Sequence, residues 1–83
     1  MKVTAEIKNN YILISVKGTL SVENISPFEV QLSKHVENKS DIIIDLSDLT
    51  FIDSSSLGII VVYFTKSEKN SNHFALRAKI VVA

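Results

Sequence analysis

Residues 41–64 read DIIIDLSDLTFIDSSSLGIIVVYF, and the change of pattern inside this stretch decides the fold. Its first part, Ile42-Ile43-Ile44, is a β-branched run bounded by Asp41 and Asp45. Such side chains suit pleated backbone, and a run without polar alternation suits a central strand covered on both faces, as in parallel pairing. SDLTFID (47–53) is expected to carry the chain onward through a turn. The second part holds Ile59, Ile60, Val61 and Val62, which favour strand by propensity alone. Helix is nevertheless the reading. Ser54 to Asn70 has helical length, serines open it, and Lys66 and Lys69 lie where cations complement the dipole. A parallel strand also needs a crossover before the next strand, which is placed at HFALRA (73–78).

Upstream, Val3, Ala5 and Ile7 alternate with Lys2, Thr4, Glu6 and Lys8, a period of two. Asn9-Asn10 then tolerates the left-handed backbone of a tight hairpin turn. YILISVKG (11–18) returns as a second strand with Ile12, Ile14 and Val16 on one face and Gly18 at its end. A helix follows. Ser26 suits its cap, Pro27 its first position, and Glu29 the far side of a capping box, with Ile25 and Val30 as a staple. Phe28, Leu32, His35 and Val36 share one side, and ENKS (37–40) closes the helix. The closing KIVVA (79–83) either prolongs the last strand or begins a helix. The expected order is β-hairpin, helix, strand, helix, strand. This is an α/β fold with a mixed sheet and helices packed on it, in one domain over residues 1–83.

Composition narrows the function. Lys plus Arg and Asp plus Glu number 9 each, so no charge bias points to nucleic acid or an anionic membrane. There is no cysteine, which excludes disulfides and thiolate metal sites. His35 and His73 lack ligand-like spacing, and neither a metal nor a cofactor is expected. The N-terminus has no continuous apolar signal region, and the apolar run Leu57–Phe64 is too short to span a bilayer. The expectation is a cytoplasmic protein that does not insert into membranes.

Three serines, Ser54, Ser55 and Ser56, directly follow Asp53 at the carboxyl end of the buried strand, where α/β sheets usually place their chemistry. One hydroxyl suffices to cap a helix, and Asp53 can also supply that cap. The surplus suggests an exposed loop with a serine read by another protein. A phosphoserine adds about −1.5 to −2 charges, which a helix N-terminus tolerates. Together with Asp53, Asp48 and Asp45 it would form a strongly negative patch.

DIIIDLSDLTFIDSSSLGIIVVYF resembles the signature of the STAS domain, shared by bacterial anti-sigma factor antagonists and the cytoplasmic tails of sulphate transporters. The matching features are Asp45-Leu46 ending a buried strand, Thr50-Phe51-Ile52, Asp53-Ser54-Ser55, and Leu57-Gly58 on the next helix; VKGTL (16–20) resembles the family's second strand. The resemblance implies that Ser55 is the residue phosphorylated by an anti-sigma factor that is also a serine kinase, and that Asp53 helps form the kinase-facing surface. It implies a partner surface of Asp53, Ser54, Ser55, Ser56 and Leu57, with Ser21 on the adjoining loop. The unphosphorylated antagonist binds the anti-sigma factor and frees the sigma factor; phosphorylation ends that binding. Ser56 stands where the family commonly has glycine, and Ser21 where aspartate is frequent. Relatives usually continue past the position of Ala83 through at least one more helix. A missing or shortened C-terminal helix would expose Ile80 and Val82, with self-association as one way to complete the core.

An enzyme with Ser55 as nucleophile and His35 or His73 as base is disfavoured. There is no G-x-S-x-G elbow and no glycine-rich phosphate loop, and only two glycines occur in all. The alternative within the family is a scaffold, or a transporter-associated subunit, that contacts partners through Leu57, Ile59 and Tyr63 without a switch.

Overall fold

The computed structural model describes residues 2–77. Two strands open it, β1 (Lys2–Ile7) and β2 (Ile12–Leu20), followed by helix α1 (Ser26–Glu37). Strand β3 (Ile42–Ile52), helix α2 (Ser54–Lys69) and strand β4 (Phe74–Arg77) complete the order β-β-α-β-α-β. The four strands form one mixed sheet in sequential order, β1 antiparallel to β2, and β2, β3 and β4 mutually parallel. Residues 78–83, which include KIVVA with Ile80 and Val82, lie outside the described residues.

Both parallel connections step across the sheet in the same direction. Crossovers share one hand, so α1 and α2 lie on the same face. Ile12, Ile14 and Val16 of β2 and Ile42, Ile44 and Leu46 of β3 point to that face and are buried. Phe28, Leu32 and Val36 of α1 and Ile60 and Tyr63 of α2 meet them there. The reading of β3 as covered on both faces is therefore corrected. It is central in the sheet, but no described helix covers the side carrying Ile43, which is half-buried.

Other local expectations change too. SDLTFID makes no turn: β3 continues through it to Ile52, and its ladder with β2 absorbs two register shifts. Gly18 does not end β2. It sits at one of those shifts with φ 90°, a left-handed conformation in which a Cβ is strained. The hairpin loop is wider than a two-residue turn, with the Lys8 N–H donating to the Tyr11 carbonyl at 2.9 Å, and neither Asn9 nor Asn10 has positive φ. The capping box at Ser26 does not form. Ile25 is the N-cap residue without a side-chain bond, and the Glu29 carboxylate instead accepts the Tyr63 hydroxyl at 3.1 Å. Val30 is exposed, so Ile25, which is buried, has no staple partner there.

Candidate functional site

The serines open α2 at the carboxyl end of β3, as expected from the strand–helix order. Asp53 has extended backbone (φ −85°, ψ 164°) and caps the helix. Its Oδ1 accepts the Ser56 N–H at 2.7 Å, satisfying one of the donors that a helix start leaves unpaired. Its Oδ2 reaches the loop between β2 and α1 and accepts the Val22 N–H at 3.0 Å. Its own N–H donates to the Leu20 carbonyl at 3.1 Å. Ser56 first and the Val22 N–H second hold the Asp53 carboxyl below its usual range. It is ionised at neutral pH and complements the helix dipole.

The neighbouring loop is braced internally. Asn24 accepts the Ser21 N–H at 2.9 Å, donates its side-chain amide to the Thr19 carbonyl at 3.0 Å, and gives its backbone N–H to the Ser21 carbonyl. Val22, at the tip, is 61% exposed. Ser54 and Ser55 stand exposed on the first turn of α2, and Gly58, one turn further on, faces open space.

The structure thus brings Ser21, Asp53, Ser54 and Ser55 to one end of the sheet. Ser56 is different. It is fully buried, and its hydroxyl has no hydrogen-bond partner among the described residues. Its expected place on a partner-facing surface is corrected: its side chain points into the core while its N–H serves the cap. Leu57 is half-buried against the same core. Asp45 and Asp48 do not join a negative patch at the serines. They lie on the uncovered sheet face, with Asp45 accepting the Ser47 N–H and standing 3.9 Å from Arg77, and Asp48 standing 3.9 Å from Lys17.

Neither histidine approaches Ser55. His35 is buried on α1, where burial first and the Lys34 charge second lower its pKa. His73 precedes β4 at the opposite end of the sheet, its N–H donating to Asp41 at 2.8 Å. No group of three potential metal ligands occurs among the described residues. No helix there is long and apolar enough to cross a membrane. The contact stripe Leu57, Ile59 and Tyr63 is also corrected. Tyr63 is core and the other two pack against it, while Val61, Val62 and Phe64 are the exposed apolar residues of α2. Sequence reasoning missed Val22 as a surface residue of the site. Its signal was a lone apolar residue among the polar residues Ser21, Glu23 and Asn24.

A β-β-α-β-α-β mixed sheet with an aspartate-capped serine cluster at the start of its second helix defines a small α/β fold class. The STAS domain model matches residues 2–78, and the chain belongs to that family. The structure resembles an anti-sigma factor antagonist of Mycobacterium paratuberculosis at 22% identity and a TM-score of 0.86, covering 95% of this chain and 68% of that one. It also resembles the anti-sigma factor antagonist SpoIIAA in its unphosphorylated form, at 19% identity and a TM-score of 0.77, covering 90% of this chain and 71% of that one. The phosphorylated form of the Bacillus protein matches with a TM-score of 0.74 at 18% identity, covering 88% and 68%. Mglu contains the same fold, with a TM-score of 0.82 at 9% identity, over 96% of this chain but 20% of its own.

Proposed function

We propose that this chain acts in the cytoplasm as an anti-sigma factor antagonist switched at Ser55. In its unphosphorylated form it binds an anti-sigma factor that is also a serine kinase. The kinase transfers the γ-phosphoryl of ATP to the Ser55 oxygen, the hydroxyl proton leaves, and ADP is released. One observation carries the reading: Ser55 is exposed on the first turn of a helix whose start is already locked by Asp53. A dianionic group added there meets the positive end of the helix dipole, so the fold tolerates it. The partner, docked on neutral hydroxyls, meets new charge and is released. Family membership and the likeness to a protein solved in both phosphorylation states support this choice. Ser55 is on this reading a substrate residue, and the chain is not an enzyme.

A second reading, a scaffold or transporter-associated subunit without a switch, draws on Val61 and Val62, which leave an apolar flank on α2. Pull-downs with wild type, Ser55→Ala and Ser55→Glu as parallel folded baits separate the two. The switch requires a kinase-type ATPase that wild type and Ser55→Ala retain and Ser55→Glu loses. Equal capture of one partner by all three baits would favour the scaffold.

A further inference from the structure

The sheet face turned away from both helices is covered by no described element, and the ladder registers order its side chains in three rows. In the first, Lys17 stands beside Asp48, with Lys2 on its other side. In the second, Ser15 stands between Thr4 and Asp45, and Arg77 follows. In the third, Leu13 stands beside Ile43, flanked by Glu6 and Ala75. Leu13 and Ile43 are the apolar centre of this open face, and a hollow of about 230 Å³ lies against Ile43 and Ala75.

We propose that this face joins two copies of the chain into a symmetric dimer, sheet on sheet. The two-fold axis runs parallel to the strands, between β2 and β3. That operation lays β2 of one copy over β3 of the other and keeps every row level. Leu13 then faces the partner's Ile43, Ser15 the partner's Asp45, and Lys17 the partner's Asp48, each contact occurring twice. Across the central strands apolar meets apolar, hydroxyl meets carboxylate, and cation meets anion; at the rim Thr4 meets the partner's Arg77 and Glu6 the partner's Ala75, where the carboxylate can stay in water. The other in-plane axis, perpendicular to the strands, inverts the rows. It sets Lys17 over Leu13 and Asp48 over Ile43, desolvating charge against hydrocarbon. Complementarity therefore selects a second copy as the occupant and selects its orientation as well.

Within one chain the Lys17–Asp48 pair is 3.9 Å long and well exposed, so it contributes little. A covering sheet about 10 Å away would exclude water from it. Four strands and about six residues of length give a face of about 19 by 20 Å. That is about 400 Å² per copy, below the size of a standard specific interface, so the dimer is a weak one that dissociates on dilution. The helix side, with Ser55, stays free.

Sedimentation velocity on the full chain, from low to high micromolar, tests the proposal. Wild type should shift toward dimer as concentration rises. Lys17→Glu and Asp48→Lys should each weaken self-association by about tenfold or more, because like charges then face each other twice. An equimolar mixture of these two variants should associate again, since the mixed dimer places opposite charges at both sites. Restoration on mixing cannot arise from the pair within one chain. Leu13→Lys should remain monomeric, with its fold checked by circular dichroism. A wild type that stays monomeric throughout, single variants that associate as wild type does, or a mixture that fails to associate would each overturn the proposal. So would a dimer abolished by Val61→Ser with Val62→Ser, which would place the contact on α2.

Discussion

Asp53 clasps Val22 to the start of α2: one carboxylate oxygen accepts the Val22 N–H at 3.0 Å while the other accepts the Ser56 N–H at 2.7 Å. One side chain thus sets both the helix start and the height of the loop beside Ser54 and Ser55. Asp53→Ala removes both bonds and should lower the melting temperature by about 5 °C. Asp53→Asn keeps a single acceptor and should fall between that variant and wild type. Thermal unfolding followed by circular dichroism gives the order, and an alanine variant as stable as wild type would refute the clasp.

The acid limb of stability should have two steps. His35 has its folded pKa lowered by burial and by Lys34. Its contribution is complete above the unfolded value of about 6.5 and is lost as pH falls through the lower folded value. Asp41, Asp45 and Asp53 are likewise depressed, chiefly by the hydrogen bonds they accept. Their contribution is present above about pH 4 and is lost as pH falls through their folded values. Urea midpoints measured against pH should show a first decline below about 6.5, absent in His35→Gln, and a steeper one below about 4, shallower in Asp53→Asn.

Tyr63 ties the two helices together through its hydroxyl on Glu29 at 3.1 Å, with the Lys66 ammonium 4.9 Å from its ring centre. Tyr63→Phe should cost about 1 kcal/mol, the usual net value of one hydrogen bond. A double-mutant cycle with Glu29→Ala should show coupling, because both single variants remove the same bond. Independent effects would mean that the bond does not form in solution.

The order of elements was legible because residues 41–64 change period, from a β-branched run to a serine-opened helix. The mixed sheet followed from the need for crossovers. The one-sided helix layer did not, because Ile43 is as apolar as its buried neighbours Ile42 and Ile44, and only the direction of the crossovers tells the faces apart. Glu29 was misread for a different reason. Its carboxylate can reach back to a cap or across to Tyr63, and the choice depends on a helix 34 residues away. At the site, Asp53 and the exposure of Ser55 could be anticipated from the helix start. The burial of Ser56 could not, since three adjacent serines are alike in sequence and differ only in where the helix turns them.

Gly18 takes φ 90° at a register shift of β2, and its carbonyl accepts the Thr50 hydroxyl at 3.0 Å. An L side chain there costs about 1–2 kcal/mol. Gly18→Ala should lower the urea midpoint accordingly, with little change in the slope of the transition. A neutral result would mean that β2 and β3 can pair without the irregularity.

Ser67 closes the inner face of α2, continuing the buried series Ser56, Ile60 and Tyr63. It is 1% exposed, and its hydroxyl has no partner among the described residues. The small side chain fits because the end of α1 comes close: the Asn70 side-chain amide donates to the Val36 carbonyl at 3.2 Å. A buried hydroxyl without a bond is destabilising, and alanine is both isosteric enough to fill the site and a better helix former. Ser67→Ala should therefore raise stability by about 1 kcal/mol, whereas Ser67→Leu should lower it by about 1–3 kcal/mol through overpacking. Urea denaturation of both variants checks the pair. If alanine lowered the midpoint, the Ser67 hydroxyl would have to be bonded in solution, with the carbonyl one turn earlier, that of Tyr63, the acceptor within its reach.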